Sequence, residues 1–162
     1  MSANQIRAFH HIAYRCRDSE ATRAFYEDFI GLELAEVFEI GTTATGRAAK
    51  VLHSFYRLAD GSFLAFFEAP DSPFDFRNQH DFDLHLAMEV SAETLQEMLA
   101  RGRAAGIETR GPSDHGIMHS IYFRDPNGYV VELTVPIANA PAHDPAEAHA
   151  TLADWQRAKA HA

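Results

Sequence analysis

The sequence predicts an α+β fold made of two copies of one unit, each a strand, a helix and about three further strands, with a C-terminal helix after them. Two internal similarities point to it. "HHIAYRCRDSEATRAFYEDFIGLEL", from His10, parallels "LHLAMEVSAETLQEMLARGRAAGIET", from Leu84. "HSFYRLADGSFLAFFEAP", from His53, parallels "HSIYFRDPNGYVVELTVP", from His119. Composition is the third observation: 162 residues, 46% hydrophobic and 11% aromatic, can bury a real core.

The first strand is the alternating "FHHIAYRC". Asp18 or Ser19 caps the helix that follows, Ala21, Phe25 and Phe29 share its face, and Gly31 ends it in a left-handed turn. A segment around residues 35–41 supplies another strand. Two more strands flank the Asp60-Gly61 hairpin turn and stop at Pro70. The polar stretch 71–82 links the first unit, residues 1–70, to the second, residues 83–136. There Ser91 caps a helix carrying Leu95, Met98 and Leu99, which ends at Gly106. A strand near 107–110 and a hairpin about Asn127-Gly128 complete the unit at Pro136. In the extension 137–162, Asp144 caps a helix with Pro145 at its first position and Glu147 three residues after the cap. Leu152 and Trp155 lie on one face of that helix, which either packs back on the domain or docks on a partner.

The formal net charge of -9 argues against nucleic acid and lends no support to an anionic membrane surface. No apolar run is long enough to span a bilayer, and no charged-then-apolar start marks secretion. Cys16 is the only cysteine, so no intrachain disulfide can form and a reducing, cytoplasmic setting is expected.

Strand parity selects the chemistry. In "DLHLAMEV", Leu84, Leu86, Met88 and Val90 form an apolar face under the helices, and His85, Ala87 and Glu89 face the concave side. The repeat aligns His11 with His85, which sends His11, Ala13 and Arg15 to the concave side and His10, Ile12, Tyr14 and Cys16 to the helix side. In the last strand Glu132 points away from Tyr129, Val131, Leu133 and Val135. A carboxylate buried there without a partner is costly. Singly, each histidine reads as a hydrogen-bonded core residue and Glu132 as the partner of an arginine. Their coincidence at repeat-related positions points to a metal site instead. Two imidazoles and a carboxylate leave coordination positions open and suit non-haem Fe(II).

At these residues the chain resembles the vicinal-oxygen-chelate superfamily, which includes glyoxalase I, bleomycin-resistance proteins and type I extradiol dioxygenases. The resemblance spans roughly residues 8–136 and rests on "HHIAYRCRDSEATRAFYEDFIGLEL", "DLHLAMEV" and "YFRDPNGYVVEL". It implies paired βαβββ units forming a cupped mixed sheet around a divalent metal, a small-molecule substrate and a homodimer. It also implies up to four ligand positions, one His-type and one Glu-type in each unit. Here the first unit carries Ala65 where the second carries Glu132, with Glu68 a reserve candidate three residues on and of opposite parity.

A set of His11, His85 and Glu132 without a fourth donor resembles the extradiol pattern, which implies Fe(II) and a catechol-like substrate. Tyr122, ten residues before Glu132, matches an active-site tyrosine of that pattern, although Tyr56 at the similar place in "HSFY" leaves a structural role open. Spacing does not single out an acid/base histidine. His80 and His115, in loops near strand ends, are favoured over His53 and His119. Phe9, Phe66, Phe74 and Phe76 are candidates to line the pocket. The two units here contrast with the four of many extradiol enzymes. The alternatives are a glyoxalase-like lyase, isomerase or epimerase using Mn, Zn, Ni or Co, and a resistance-type protein that only binds its ligand.

Overall fold

In the computed structural model, which describes residues 7–43, 45–142 and 144–159, the two halves of the chain fold alike. The first contains β1 (His11–Cys16), α1 (Ser19–Arg23, continuing in wider π-helical turns over Ala24–Ile30), β2 (Glu33–Thr42), β3 (Ala48–Arg57) and β4 (Phe63–Glu68). The second contains β5 (His85–Glu89), α2 (Ala92–Ala104), β6 (Thr109–Asp114), β7 (Met118–Arg124) and β8 (Val130–Pro136). The helix α3 (Pro145–Lys159) follows. Each half makes its own four-stranded mixed sheet, in the orders β1-β4-β3-β2 and β5-β8-β7-β6. In each, the first strand runs parallel to the last.

The local signals act as their chemistry dictates. Asp18 Oδ1 accepts from the Ala21 amide at 2.7 Å, and Ser91 Oγ accepts from Thr94 at 3.1 Å. Gly31 closes the first helix at φ 96°, a conformation that disfavours any side chain. The π-helical turns before it are not visible in a 3.6-residue pattern. They bring Asp28, five residues on, within 2.8 Å of the Arg23 guanidinium, which also holds Glu20 and Glu27.

One hydrophobic core serves both halves. Tyr56, Leu64 and Phe66 enter it from the first sheet, Ile121, Phe123, Val131 and Leu133 from the second. Phe25, Tyr26 and Phe29 of the first helical segment join Leu95, Met98 and Leu99 of α2 there. Both sheets therefore turn their helix-covered faces to this core, and their open faces look outward. β1 and β5 are edge strands, and a cavity of about 500 Å³ lined by Ile12, Tyr14, Leu86 and Met88 separates them.

The two hairpin tips differ. The Leu58–Ser62 turn lies at the surface, whereas the Asp125–Tyr129 turn is driven into the joint between the halves. Asp125 accepts from Tyr26 Oη at 3.0 Å, from Asn127 through both N and Nδ2 at 2.9 Å, and from Tyr129 N at 2.8 Å. Asn127 Oδ1 in turn accepts from the Arg17 amide at 2.8 Å. At Gly128 (φ 97°) a Cβ would land on the Arg77 carbonyl of the linker. We expect Gly128→Ala to cost ~2 kcal/mol or more in a denaturation series, whereas a change at the exposed Ala59 will be nearly silent.

Asp144 caps α3 through Ala146 N at 2.8 Å. Among the described residues of α3 none is buried, so the helix does not pack home as the simpler expectation had it. No helix among the described residues is long and apolar enough to cross a membrane.

Candidate metal centre on the open face of the second sheet

Cross-strand register fixes which residues share the open faces. In the second sheet Ala87, Glu132 and Tyr122 form one row, and Glu89, Thr134 and Ser120 the next. Glu132 is only 5% exposed, yet no Lys or Arg pairs with it among the described residues. Its neighbours are His85, with Nε2 at 3.4 Å from Oε2, and Tyr122, whose hydroxyl donates to Oε1 at 3.2 Å.

The second nitrogen of His85 is tied down. Its Nδ1 lies 2.8 Å from the Asp81 carbonyl, which can only accept, so Nδ1 carries a proton and Nε2 is the nitrogen turned to Glu132. That backbone contact orients the ring as a metal-binding imidazole needs. Asp81 is itself held by Arg110 at 2.7 and 2.9 Å, and the guanidinium beside it draws its carboxyl below the ordinary carboxylate range. The Arg110 guanidinium lies 5.0 Å over the Tyr122 ring.

His115 Nε2 is 2.7 Å from Tyr122 Oη. Because the phenol donates to Glu132, His115 donates to the phenol, and the three groups form one chain ending on the carboxylate. Burial first, and the Glu132 charge second, push the Tyr122 hydroxyl above its usual range. It is a proton donor at neutral pH.

His11 lies elsewhere. It is exposed on the open face of the first sheet, 2.8 Å Nδ1 to Nδ1 from His10 and edge-on to Phe55 at 5.5 Å. The chain does not bring it to His85 and Glu132, and no group of three metal-ligating side chains exists among the described residues. Ala65 stands on the same face beside Ala13, as Glu132 stands beside Ala87. Glu68 turns to the helix side, where it accepts from the Ser19 amide at 2.7 Å. His80 is exposed in the linker and accepts from the Phe82 amide at 3.2 Å. His119 pairs with Val135 on the helix-side parity.

His53 has more to offer than its spacing suggested. It is buried on the open face of the first sheet, stacked on Phe67 at 3.6 Å and 6.4 Å from His11, centroid to centroid. Its Nδ1 is bound to the Phe66 carbonyl at 2.9 Å, so Nε2 is the free acceptor. Phe66 itself is in the core, and Phe74 and Phe76 lie in the linker against Arg15 and Arg17, where they line a cavity of about 310 Å³. The open-face aromatics of the first sheet are Phe38, Phe55, Phe63 and Phe67.

The similarity of "HSFY" to "HSIY" obscured this. Eight residues separate His53 from Gly61, but nine separate His119 from Gly128. Counted from the turns, Tyr122 corresponds to Phe55 and Ser120 to His53. One residue reverses the face. Tyr56 is therefore a core residue, and only Tyr122 reaches the candidate site.

Residues 8–133 match the model of the Glyoxalase/Bleomycin resistance protein/Dioxygenase superfamily. The chain belongs to that superfamily. No curated protein matches it in sequence. Among solved structures, a glyoxalase/dioxygenase from Nostoc punctiforme is 25% identical, with TM-score 0.60 over 85% of this chain and 100% of that one. A glyoxylase/bleomycin resistance protein/dioxygenase domain from Frankia sp. EAN1pec reaches TM-score 0.65 at 18% identity, covering 82% and 100%. A mutant of the fosfomycin resistance protein FosX from Listeria monocytogenes, complexed with Mn(II) and 1S,2S-dihydroxypropylphosphonic acid, gives TM-score 0.57 at 24% identity, covering 80% and 92%. The His85–Glu132 pair has the chemistry to hold a divalent metal.

Proposed function

We propose that the protein is a divalent-metal enzyme of the extradiol dioxygenase type, acting on a catechol-like small molecule in a site shared by two copies of the chain. The observation that carries this is Glu132: buried, without a cationic residue, and facing Nε2 of His85. His85 and Glu132 of one copy and His11 of a second would make the three-donor set. With Ala65 at the fourth position, that set leaves room for a chelating substrate and favours Fe(II) over Mn, Zn, Ni or Co. The ion would supply Lewis acidity towards two adjacent oxygens and a template on which diol and dioxygen meet.

The chain's own residues provide the rest. Bringing His11 across also brings His53, whose Nε2 can take a hydroxyl proton while the Phe66 carbonyl holds the ring. Tyr122 donates to Glu132 in the free chain and is placed to donate to a substrate oxygen, with His115 supporting it from behind. Phe55 and Phe67 offer a wall for an aromatic ring. Arg110 is committed to Asp81, which disfavours a phosphonate such as the Listeria protein's ligand.

Anaerobic loading with Fe(II), followed by oxygen uptake and ring-cleavage colour across a catechol panel, tests the reaction. An iron-bound protein that turns over no member of the panel sinks it. Tyr122→Phe should lower kcat about 100-fold at saturating metal, measured by steady-state kinetics with metal analysis.

A further inference from the structure

Among the described residues, none of α3 joins the hydrophobic core. The helix has 15 residues and, among those described, none is buried. A helix of that length without a packed face is marginal in water. Ala148, Leu152 and Trp155 recur at helical spacing as one apolar stripe, with Leu152 57% and Trp155 65% exposed. The helix does not close on its own domain, since a cavity of about 810 Å³ separates Ala148 and Leu152 from Met118 and Pro136.

Position supplies the occupant. The strand wall of that cavity includes Glu89 and Thr134, the pair next to Ala87 and Glu132 on the same open face. α3 therefore stands at the rim of the candidate metal centre, with the linker residue Asp81 holding His85 at the other end. On the shared-site reading above, a second copy must bring the open face of its first sheet to this place. That face carries Phe38, 45% exposed and stacked on Phe55. We infer that α3 is a clamp for the second copy: Leu152 and Trp155 close over Phe38 on the edge strand β2 of the partner's first sheet. The stripe left bare in one chain and the Phe38 ring left bare in the other cover each other.

Trp155 is the chain's single tryptophan, so its fluorescence reports the clamp directly. The full chain is diluted through its dimer–monomer range, with sedimentation run in parallel and acrylamide quenching read at each concentration. In the dimer, Trp155 emission should shift to the blue and quenching should fall several-fold. Leu152→Glu should weaken dimerisation about tenfold without loss of helical or sheet signal in the monomer, where Leu152 is exposed. A dimer that needs His11 to bind metal yet leaves Trp155 as quenchable as in the monomer overturns the clamp and leaves the shared site standing. A chain that is monomeric at every concentration overturns both.

Discussion

Mixed together, His11→Ala and Glu132→Gln chains will regain metal binding that each lacks alone. Each single variant should lose at least ~100-fold in affinity, since losing a ligand costs no less than losing the group that orients one. In a two-fold dimer with a shared site, a mixed pair carries one site with both intact halves and one site with neither. Random exchange therefore restores about one site in four. Metal stoichiometry after denaturation and co-refolding reads the number directly. If His11 folds over to reach Glu132 within its own chain, mixing restores nothing. The geometry favours the shared site because the helix-covered faces meet in one core, leaving His11 and the His85–Glu132 pair on surfaces that point apart.

The second large effect is on stability. Asp125→Ala should cost about 4 kcal/mol in a urea or guanidinium titration, because it strands donors of Tyr26, Asn127 and Tyr129 at a site from which water is excluded. Tyr26→Phe removes a single donor to the same carboxylate and should cost about 1 kcal/mol. If the two variants unfold at the same denaturant concentration, the carboxylate is not the hub described above. The substitution acts on the joint between the halves, so a single cooperative transition should be retained, shifted to lower denaturant.

Much of this was legible in the sequence because period and punctuation are local. The Asp18 and Ser91 caps, Gly31, both hairpin turns and the helix-side placement of Cys16 follow from neighbours a few residues away. Alternation, with the repeat to choose between His10 and His11, put His11, His85 and Glu132 on open faces. Other features depend on long-range arrangement. Nothing in "YFRDPNGYVVEL" says that its turn is buried against Tyr26, about a hundred residues earlier. Likewise, no residue pattern reveals that two sheets of one chain would share a core and so separate the ligands. The equivalence of Tyr56 with Tyr122 fails for a different reason. Similar letters were matched from the histidine, whereas the strand register is set from the turn, and the two counts differ by one.

The unequal hairpin tips have a practical side. Leu58–Ser62 closes on itself, with Ser62 bonded to Asp60 and Gly61 to Leu58, and among the described residues makes no hydrogen bond to the other half. A peptide graft, fluorophore or circularly permuted terminus can be tried at Ala59 or Asp60 with the remainder of the chain undisturbed. The same graft at Asn127 would separate Arg17, Thr22 and Asp125 from their common partner. Two loops of equal length and similar spelling thus set opposite limits on where this chain can be lengthened.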